Sequence, residues 1–260
     1  MLGFNRIVKR LAFVTTIAAT VTTLGLSSSA YAQAQGPAKT VVLVHGAFAD
    51  GSSWAKVIPF LKQAGLKVVA VQNPLDSLDN DVAFTNRAID NADGPVVLVG
   101  HSYGGVVITQ AGLHAKVKSL VYVAAYAPEV GQSLVDTVKP YPEPPGQASF
   151  VKDANGFLKV SDDGVFKYFA ADLSRPEQEI VAATQGAFSV KAVTAPVTIA
   201  AWHKVPVFEV VTTNDTICPP QMQRDQVKRM HAVGIEVPSS HVVMLSHPDV
   251  VAKLIIDAAQ

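Results

Sequence analysis

A serine and a histidine interrupt an apolar run in "VLVGHSYGGVV", residues 97–107. Ser102 is framed by Gly100 and Gly104, with a strand pattern before it and a helical pattern after it. This context is typical of a nucleophile elbow, a strained turn that exposes a serine hydroxyl above the edge of a sheet. Side chains at the two flanking positions would collide with backbone in so tight a turn, which explains the glycines. We therefore predict that Ser102 is a nucleophile.

A serine hydroxyl is a poor nucleophile unless a general base takes its proton. His241 follows the last strand pattern, in "VPSSHVVMLSHP", and Asp215 follows the preceding strand pattern, in "VVTTNDTICPP". The chain order of serine, acid and histidine is the one expected beside such an elbow. All three loops leave the carboxyl edge of the predicted sheet, where sites of open α/β sheets form. We predict that Asp215 orients His241 and that His241 takes the proton of Ser102.

Other polar residues compete for these roles. His247 follows soon after His241, but it stands at a predicted helix start, where a capping or packing role is expected. Asp172, in an irregular segment, and Asp249, in the last helix, are alternative acids for which solvated positions are expected. Asp215 and His241 remain preferred because of their places after strands.

The remaining candidates have structural interpretations. His45 and His101 flank the predicted site and are expected to hold loops by hydrogen bonds, and His203 and His231 are expected at the surface or in an inserted segment. Cys218 is the single cysteine and has no glycine turn to expose it, so a buried structural role is predicted. The scattered histidines show no metal-ligand spacing, and we predict neither a metal site nor a cofactor.

Acyl transfer also needs N–H donors for the oxyanion that develops on the carbonyl group. The backbone N–H of Tyr103, directly after Ser102, is the first predicted donor, with the N-terminus of the next helix behind it. The second is expected in "HGAFADGSSW", after the first strand, from Ala47, with Phe48 as the next choice. The alternative interpretation of this loop is a plain strand-to-helix turn.

Strand and helix patterns alternate around these residues. The strands are continuous apolar runs, which indicates a mainly parallel sheet covered by helices on both faces. The predicted strands are 40–46, 66–74, 95–100, 117–128, 205–215 and a short last strand within 234–241. The predicted helices are 52–65, 77–94, 103–115, 219–233 and 247–260.

Two of these helices carry more specific expectations. In the first, Ser52 or Ser53 is expected as the N-cap, Pro59 as a bend and Gly65 as the residue just past the end. In the second, one face is expected to be formed by Val82, Ala83, Asn86 and Ile89.

The regular pattern fails between about 128 and 204. This segment is rich in aromatic residues, whereas a disordered linker would be poor in them. We predict a cap inserted between the fourth predicted strand and the strand that precedes Asp215. Most of its rings are expected to form the cap's own core, with one or two lining a substrate cavity.

The N-terminus has the pattern of an export signal. Three basic residues precede an uncharged apolar run at 11–26, and "AYA" at 30–32 matches a signal-peptidase site. We expect residues 1–32 to be removed, which leaves a domain of residues 33–260 in the periplasm or outside the cell. A retained membrane anchor is the alternative, disfavoured by the short, threonine-containing run.

Charge and composition limit the partners. The 260-residue chain is 49% hydrophobic with a formal net charge of +0, enough for one domain with a sizeable core. No basic stripe is present, so a nucleic-acid partner is not expected. No membrane contact is expected once the signal is removed, and the sequence does not determine the oligomeric state.

With these residues in place, the chain resembles the α/β-hydrolase superfamily. It is most similar to the branch that contains plant methyl esterases, hydroxynitrile lyases and bacterial serine esterases. The resemblance covers nearly all of residues 40–260 and is weakest in the cap. It is carried by "VVLVHGAFADGSSWAKV", "VVLVGHSYGGVV", "VVTTNDTICPP" and "SSHVVMLSHPDVVAKLI". It implies an α/β-hydrolase fold and a cofactor-independent serine esterase that cleaves small carboxylic esters through an acyl-enzyme.

Two positions separate esterase from lyase within this resemblance. Hydroxynitrile lyases of the branch carry a threonine after the first-strand histidine and a lysine after the catalytic histidine. Here those positions are Gly46 and Val242, which favours the ester hydrolase. Two alternatives stay open: a C–C lyase that uses the same Ser102 and His241, and a ligand-binding homologue without catalysis.

Overall fold

A computed structural model describes residues 36–260 of the chain. The predicted export signal and its cleavage site lie outside these residues. The strands of the described part are β1 (Thr40–Val44), β2 (Lys67–Val71), β3 (Val96–His101), β4 (Val117–Val123), β5 (Phe150–Lys152), β6 (Phe157–Val160), β7 (Phe188–Ser189), β8 (Val207–Thr212) and β9 (Val233–Val237). Six of them form a parallel sheet in the order β2-β1-β3-β4-β8-β9, as the apolar runs predict.

Helices connect these strands and cover the sheet. They are α1 (Ile58–Gln63), α2 (Leu78–Asp90), α3 (Gly104–Ala111), α4 (Leu134–Val138), α5 (Asp162–Gly164), α6 (Arg175–Ala183), α7 (Val190–Thr194), α8 (Pro220–Met230), α9 (Val243–Ser246) and α10 (Pro248–Ala258). Within residues 36–260, none of them is long and apolar enough to cross a membrane.

The central strands carry the core of the sheet. Every residue of β1 and β3 is buried, because these strands have neighbours on both sides and helices on both faces. The prediction of a second fully buried strand at 66–74 is wrong: β2 is an edge strand whose residues alternate in exposure. Edge position depends on strand order, which an apolar run does not encode.

The first predicted helix is divided into two pieces. A 3-10 turn at Gly51–Trp54 comes before α1, which starts with Pro59 in its first turn. Pro59 therefore begins a helix rather than bending one, because a first-turn residue needs no N–H bond. The N-cap is Asp50, whose carboxylate accepts from the N–H of Ser52, so the predicted serine cap is wrong. Gly65 does follow the helix, with φ at +82°.

The buried face of α2 differs from the predicted one. Ser77 caps the helix, and the buried residues are Leu78, Asp81, Thr85 and Ile89. Ala83, predicted to lie on this face, is exposed. The buried face includes a carboxylate and a hydroxyl, which an apolar pattern does not predict, so the pattern indicates a neighbouring face of the helix.

The chain between β4 and β8 forms the predicted insertion over the sheet. It holds α4 to α7 and an antiparallel sheet in the order β5-β6-β7. A π-helical turn at Val165–Phe169 extends α5. Three aromatic rings of the insertion, those of Phe150, Phe169 and Phe188, pack against Phe48 of the core. The insertion is thereby fastened to the loop that follows β1.

Candidate active site

The turn between β3 and α3 places Ser102 in a strained conformation. Its φ is +52°, in the left-handed region that residues with a side chain rarely adopt. Its N–H donates to the carbonyl of Val123 at 3.1 Å, which fixes the turn against β4. A Cβ at Gly100 would collide with the backbone of Gly104, and a Cβ at Gly104 would lie 2.5 Å from the carbonyl oxygen of Val44. The turn therefore requires both glycines, as expected.

The structure brings Ser102, His241 and Asp215 together. The Nε2 of His241 lies 2.8 Å from the Oγ of Ser102, and its Nδ1 lies 2.8 Å from Oδ2 of Asp215. The side chains of His241 and Asp215 are fully buried. A carboxylate oxygen can only accept, so the Nδ1 of His241 carries the proton that it donates to Asp215. In this tautomer Nε2 carries no proton and can accept one from the serine hydroxyl. The arrangement can abstract the proton of Ser102.

Asp215 is held by several donors besides His241. Its Oδ1 accepts from the backbone N–H groups of Ile217 at 2.8 Å and Cys218 at 2.9 Å. Its Oδ2 accepts from the hydroxyl of Thr212 at 2.8 Å, and Gln223 donates to that hydroxyl at 3.0 Å. Donors of this kind stabilise a buried carboxylate in its charged form. The sequence alone did not reveal Thr212 or Gln223, although Gln223 stands out as a polar residue on the buried face of α8.

His101 and His45 lie behind the site as neutral imidazoles. The Nε2 of His101 donates to the carbonyl of His241 at 2.9 Å. Burial, and then the neighbouring His241, hold the pKa of His101 well below its ordinary value. In His45, Nδ1 donates to the carbonyl of Gly46, and Nε2 accepts from the N–H of Asn73. Burial also lowers the pKa of His45. Both bond to loops beside the site, as the sequence predicts.

The two residues predicted to supply oxyanion donors belong to segments that contact Ser102. Tyr103 is the N-cap of α3, and Ala47 lies in the loop after β1. This loop packs closely against the serine, since a Cβ at Gly46 would lie 2.7 Å from the Cβ of Ser102. Within residues 36–260, the N–H groups of Ala47, Phe48 and Tyr103 donate to no other group.

The side chain of Tyr103 is anchored by a buried carboxylate that the sequence did not reveal. Its hydroxyl donates to Oδ2 of Asp81 at 2.7 Å, and Oδ1 of Asp81 accepts from the N–H of Leu75 at 2.9 Å. Burial raises the pKa of Asp81 to about 6, against the lowering effect of these two hydrogen bonds. The ring of Tyr103 also packs on Phe188 of β7, with centroids 4.6 Å apart.

A cleft of about 310 Å³ opens beside the site. Phe48, Phe169 and Val242 line its inner end, and the ring of Phe169 lies 5.1 Å from that of His241. Three residues of α6, namely Glu177, Ile180 and Val181, form one wall together with Thr184, which directly follows the helix. The lining is mostly apolar, which suits the apolar part of a small ligand. Phe169 is the cap ring that meets the expectation of a cavity-lining aromatic.

The competing candidates lie elsewhere. His247 bonds to Ser246 at the start of α10, and Asp249 is exposed in the first turn of that helix. Cys218 is buried, and burial raises the pKa of its thiol well above the ordinary value. Asp172 is exposed, as expected, but its carboxylate also bonds to the loop before His241.

His203 and His231 have structural positions. His203 stacks on Trp202 and bonds to Glu129, and His231 ends α8 with φ at +52°. In the described part of the chain, no group of three or more histidine, cysteine, aspartate or glutamate residues is placed to hold a metal ion.

Comparison with known sequences identifies the family. The alpha/beta hydrolase family model matches residues 41–254, so the chain belongs to the alpha/beta hydrolases. Among individual relatives, an alpha/beta hydrolase of Aspergillus novofumigatus, nvfD, is 25% identical over 84% of this chain and 96% of its own length. The carbendazim hydrolyzing esterase of a Nocardioides species is 33% identical over 42% of this chain and 51% of its own length.

The remaining comparisons agree with the predicted branch and fold. Methylesterases and an alpha-hydroxynitrile lyase of Arabidopsis thaliana also match, which confirms the resemblance. A pyrethroid hydrolase of Sphingobium faniae has the same fold, with a TM-score of 0.74 at 21% identity over 85% of this chain and 97% of its own. The α/β-hydrolase fold with its inserted cap is therefore confirmed, and the esterase relatives support ester hydrolysis as the general class.

Proposed function

We propose that this chain is a serine esterase that cleaves small carboxylic esters through an acyl-enzyme. The observation that carries the proposal is the continuous hydrogen-bonded path from Ser102 through His241 to Asp215 at the end of a strained turn. Ser102 attacks the ester carbonyl while Nε2 of His241 takes its proton, and Asp215 stabilises the imidazolium that forms. His241 then gives the proton to the leaving alcohol.

The backbone N–H groups of Tyr103 and Ala47 are proposed to bind the tetrahedral oxyanion. Neither N–H donates to another group of residues 36–260, which supports this role, and α3 adds the positive end of its dipole. A water molecule, deprotonated by His241, next attacks the acyl-enzyme and releases the acid. The apolar part of the ester is placed in the cleft lined by Phe48 and Phe169. No metal or organic cofactor takes part in these steps.

Lyase chemistry with the same Ser102 and His241 is the main alternative. Two features of the site oppose it. A threonine cannot replace Gly46 without a shift, because its Cβ would lie 2.7 Å from that of Ser102. The residue after His241 is Val242, which is buried and lines the cleft, so that position carries no charge to stabilise a departing cyanide. Both observations support the esterase.

Hydrolysis of p-nitrophenyl acetate, butyrate and octanoate tests this proposal. We expect Ser102→Ala to lower kcat by at least about 10³-fold. Ser119→Ala serves as the matched control, since Ser119 is also a buried serine but bonds to Ala258 at the far end of β4. Equal rates for wild type and Ser102→Ala would refute the mechanism. Cleavage of cyanohydrins without any ester hydrolysis would favour the lyase.

We also propose that the protein acts in the periplasm or outside the cell, on small-molecule esters. The basic, apolar and small-residue pattern of residues 1–32 supports this proposal. N-terminal sequencing of protein recovered from a bacterial periplasm or culture medium tests it. A mature N-terminus at Gln33 is expected, and a full-length chain recovered with membranes would contradict it.

A further inference from the structure

The two residues before His241 are bound by a carboxylate from the insertion. Ser239 and Ser240 follow β9 and are buried. Oδ2 of Asp172 accepts from the hydroxyl of Ser239 at 2.8 Å and from the N–H of Ser240 at 3.0 Å. The hydroxyl of Ser240 donates to the other oxygen of Asp172. One side chain thus accepts from three donors of the loop that carries His241.

Other contacts fix the same short loop from both sides. The hydroxyl of Ser240 also lies 3.4 Å from the carbonyl of Phe169, in the turn that leads to Asp172. The hydroxyls of Ser239 and Ser246 are 2.8 Å apart. On the core side, His101 donates to the carbonyl of His241. The backbone before His241 is therefore held by the insertion, and the backbone at His241 by the core.

The charge state of Asp172 suits this role. Burial of part of the side chain would raise its pKa, but the hydroxyls of Ser240 and Ser239 and the N–H of Ser240 hold it below its ordinary value. A carboxylate accepts stronger hydrogen bonds than a neutral group does. The residue itself remains exposed, so losing its charge should disturb the loop more than it disturbs global stability.

We propose that Asp172 is a positioning residue that keeps the imidazole of His241 within reach of Ser102. The proposal rests on the serine-esterase function proposed above. It makes the insertion part of the catalytic apparatus rather than only a cover over the substrate. A shift of His241 by about 1 Å would be enough to slow proton transfer, since misplacement of that size can cost about 100-fold in rate.

Four variants of the full chain test this inference: Asp172→Ala, Asp172→Asn, Ser240→Ala and the control Asp136→Asn. Asp136 is a matched carboxylate of the insertion, because it accepts from the N–H of Ser133 at 2.9 Å and from its hydroxyl at 2.6 Å. With p-nitrophenyl acetate, we expect Asp172→Ala to lower kcat about 10- to 100-fold with KM within about twofold. The kcat of Asp172→Asn should fall less than that of Asp172→Ala, and the kcat of Asp136→Asn should equal that of the wild type.

Two further readouts separate positioning from a general structural effect. Ser240→Ala should add little to Asp172→Ala in the double variant, because both remove the same contact. In proton NMR, the downfield Nδ1–H signal of the bond from His241 to Asp215 should weaken in Asp172→Ala and persist in Asp136→Asn. This signal does not depend on turnover.

The inference fails if Asp172→Ala changes only KM, or if it keeps both kcat and the downfield signal of the wild type. It also fails if Asp136→Asn loses as much kcat as the Asp172 variants. A wild-type protein that cleaves no ester would contradict the proposed function instead. The NMR comparison would still decide whether Asp172 positions His241.

Discussion

At the scale of single residues, the surroundings of Asp215 suit it to stabilise a charged His241. Two backbone N–H groups and the hydroxyl of Thr212 bond to its carboxylate within 2.9 Å, and its side chain is fully buried. A buried charge that is fully hydrogen-bonded interacts strongly with a neighbouring imidazolium. Asp249, one of the two alternative acids, is exposed on α10 and bonds to none of these groups.

Replacing Asp215 by asparagine should lower kcat by roughly 10³- to 10⁴-fold, because the amide favours the wrong tautomer of His241. Ester hydrolysis under saturating substrate measures the effect, with circular dichroism to verify folding. Asp249→Asn is the control and should retain wild-type kcat. A large loss in Asp249→Asn with a normal Asp215→Asn would show that the acid is assigned to the wrong residue.

Asp81 should affect stability in a pH-dependent way. Its pKa rises from 3.8 to about 6 in the folded chain through burial, so the folded state binds this proton more tightly than the unfolded chain does. The stabilisation from protonation is full below pH 3.8 and is lost as pH rises through about 6. At about 1.4 kcal/mol per pKa unit, this amounts to roughly 3 kcal/mol.

Asp81→Asn removes this titration while keeping an acceptor for the N–H of Leu75. We expect the free energy of unfolding of the wild type, relative to Asp81→Asn, to fall between pH 4 and pH 6 and to level off above that range. Urea unfolding at a series of pH values measures the difference. Parallel curves for the two proteins would contradict the raised pKa of Asp81.

At the scale of elements, the elbow depends on how closely α3 approaches β1. A Cβ at Gly104 would lie 2.5 Å from the carbonyl oxygen of Val44 and 2.9 Å from that of His45. Both atoms belong to the backbone at the end of β1, so they cannot turn aside as a flexible side chain would. The glycine is thus required by the packing of two elements rather than by its own φ angle.

Gly104→Ala should therefore destabilise the fold by about 3 kcal/mol, the upper part of the range for overpacking. Gly65→Ala is the comparison, since Gly65 has φ at +82° but no atom within 4 Å of the added Cβ. It should cost about 1 kcal/mol from backbone strain alone. Urea unfolding of both variants measures the two values. Equal costs would mean that the approach of α3 to β1 relaxes easily.

Local patterns predict the elements of the main sheet and the residues Ser102, Asp215 and His241, because each of these residues follows a recognisable strand. They predict none of the elements within the insertion. The turn at Ser102 could be identified from its glycines, and β1, β3 and β4 from continuous apolar runs. Contacts between distant parts of the chain were not predictable in this way. The sequence predicts only a solvated position for Asp172 and gives Asp81 no role, because the partners of both lie on other elements. The exposure of β2 follows from strand order.

At the scale of the whole molecule, the insertion meets the core around the cleft. Lys56, near the start of α1, pairs with Glu177 of α6 at 2.5 Å and also bonds to the carbonyl of Leu245. Both charged side chains are more than a third exposed, so the pair adds little to stability. In a second contact between the insertion and the core, the N–H of Ser189 in β7 donates to the carbonyl of Leu75, which follows β2. The cleft lies between these contacts and the core, and we expect Ile180 and Val181, the apolar side chains of α6 that line it, to limit the size of the substrate.

Val181→Trp should narrow the cleft and select against long acyl chains. Val181 is half-buried on the lining face of α6, so the larger ring would occupy the cleft. We expect kcat/KM for p-nitrophenyl octanoate to fall roughly tenfold relative to that for the acetate. Glu179→Trp is the control, because Glu179 is exposed on the same helix and lies outside the lining. The same change of acyl preference in both variants would place the acyl group elsewhere.

The most direct measurement is to find the acyl group on the enzyme. The protein is mixed with p-nitrophenyl acetate, quenched in acid during turnover and weighed intact by mass spectrometry, followed by peptide mapping. The account predicts a burst of p-nitrophenol and one acetyl group on Ser102, with neither in Ser102→Ala. Continued ester cleavage with no burst, or with the acetyl group on another residue, would contradict Ser102 as the nucleophile.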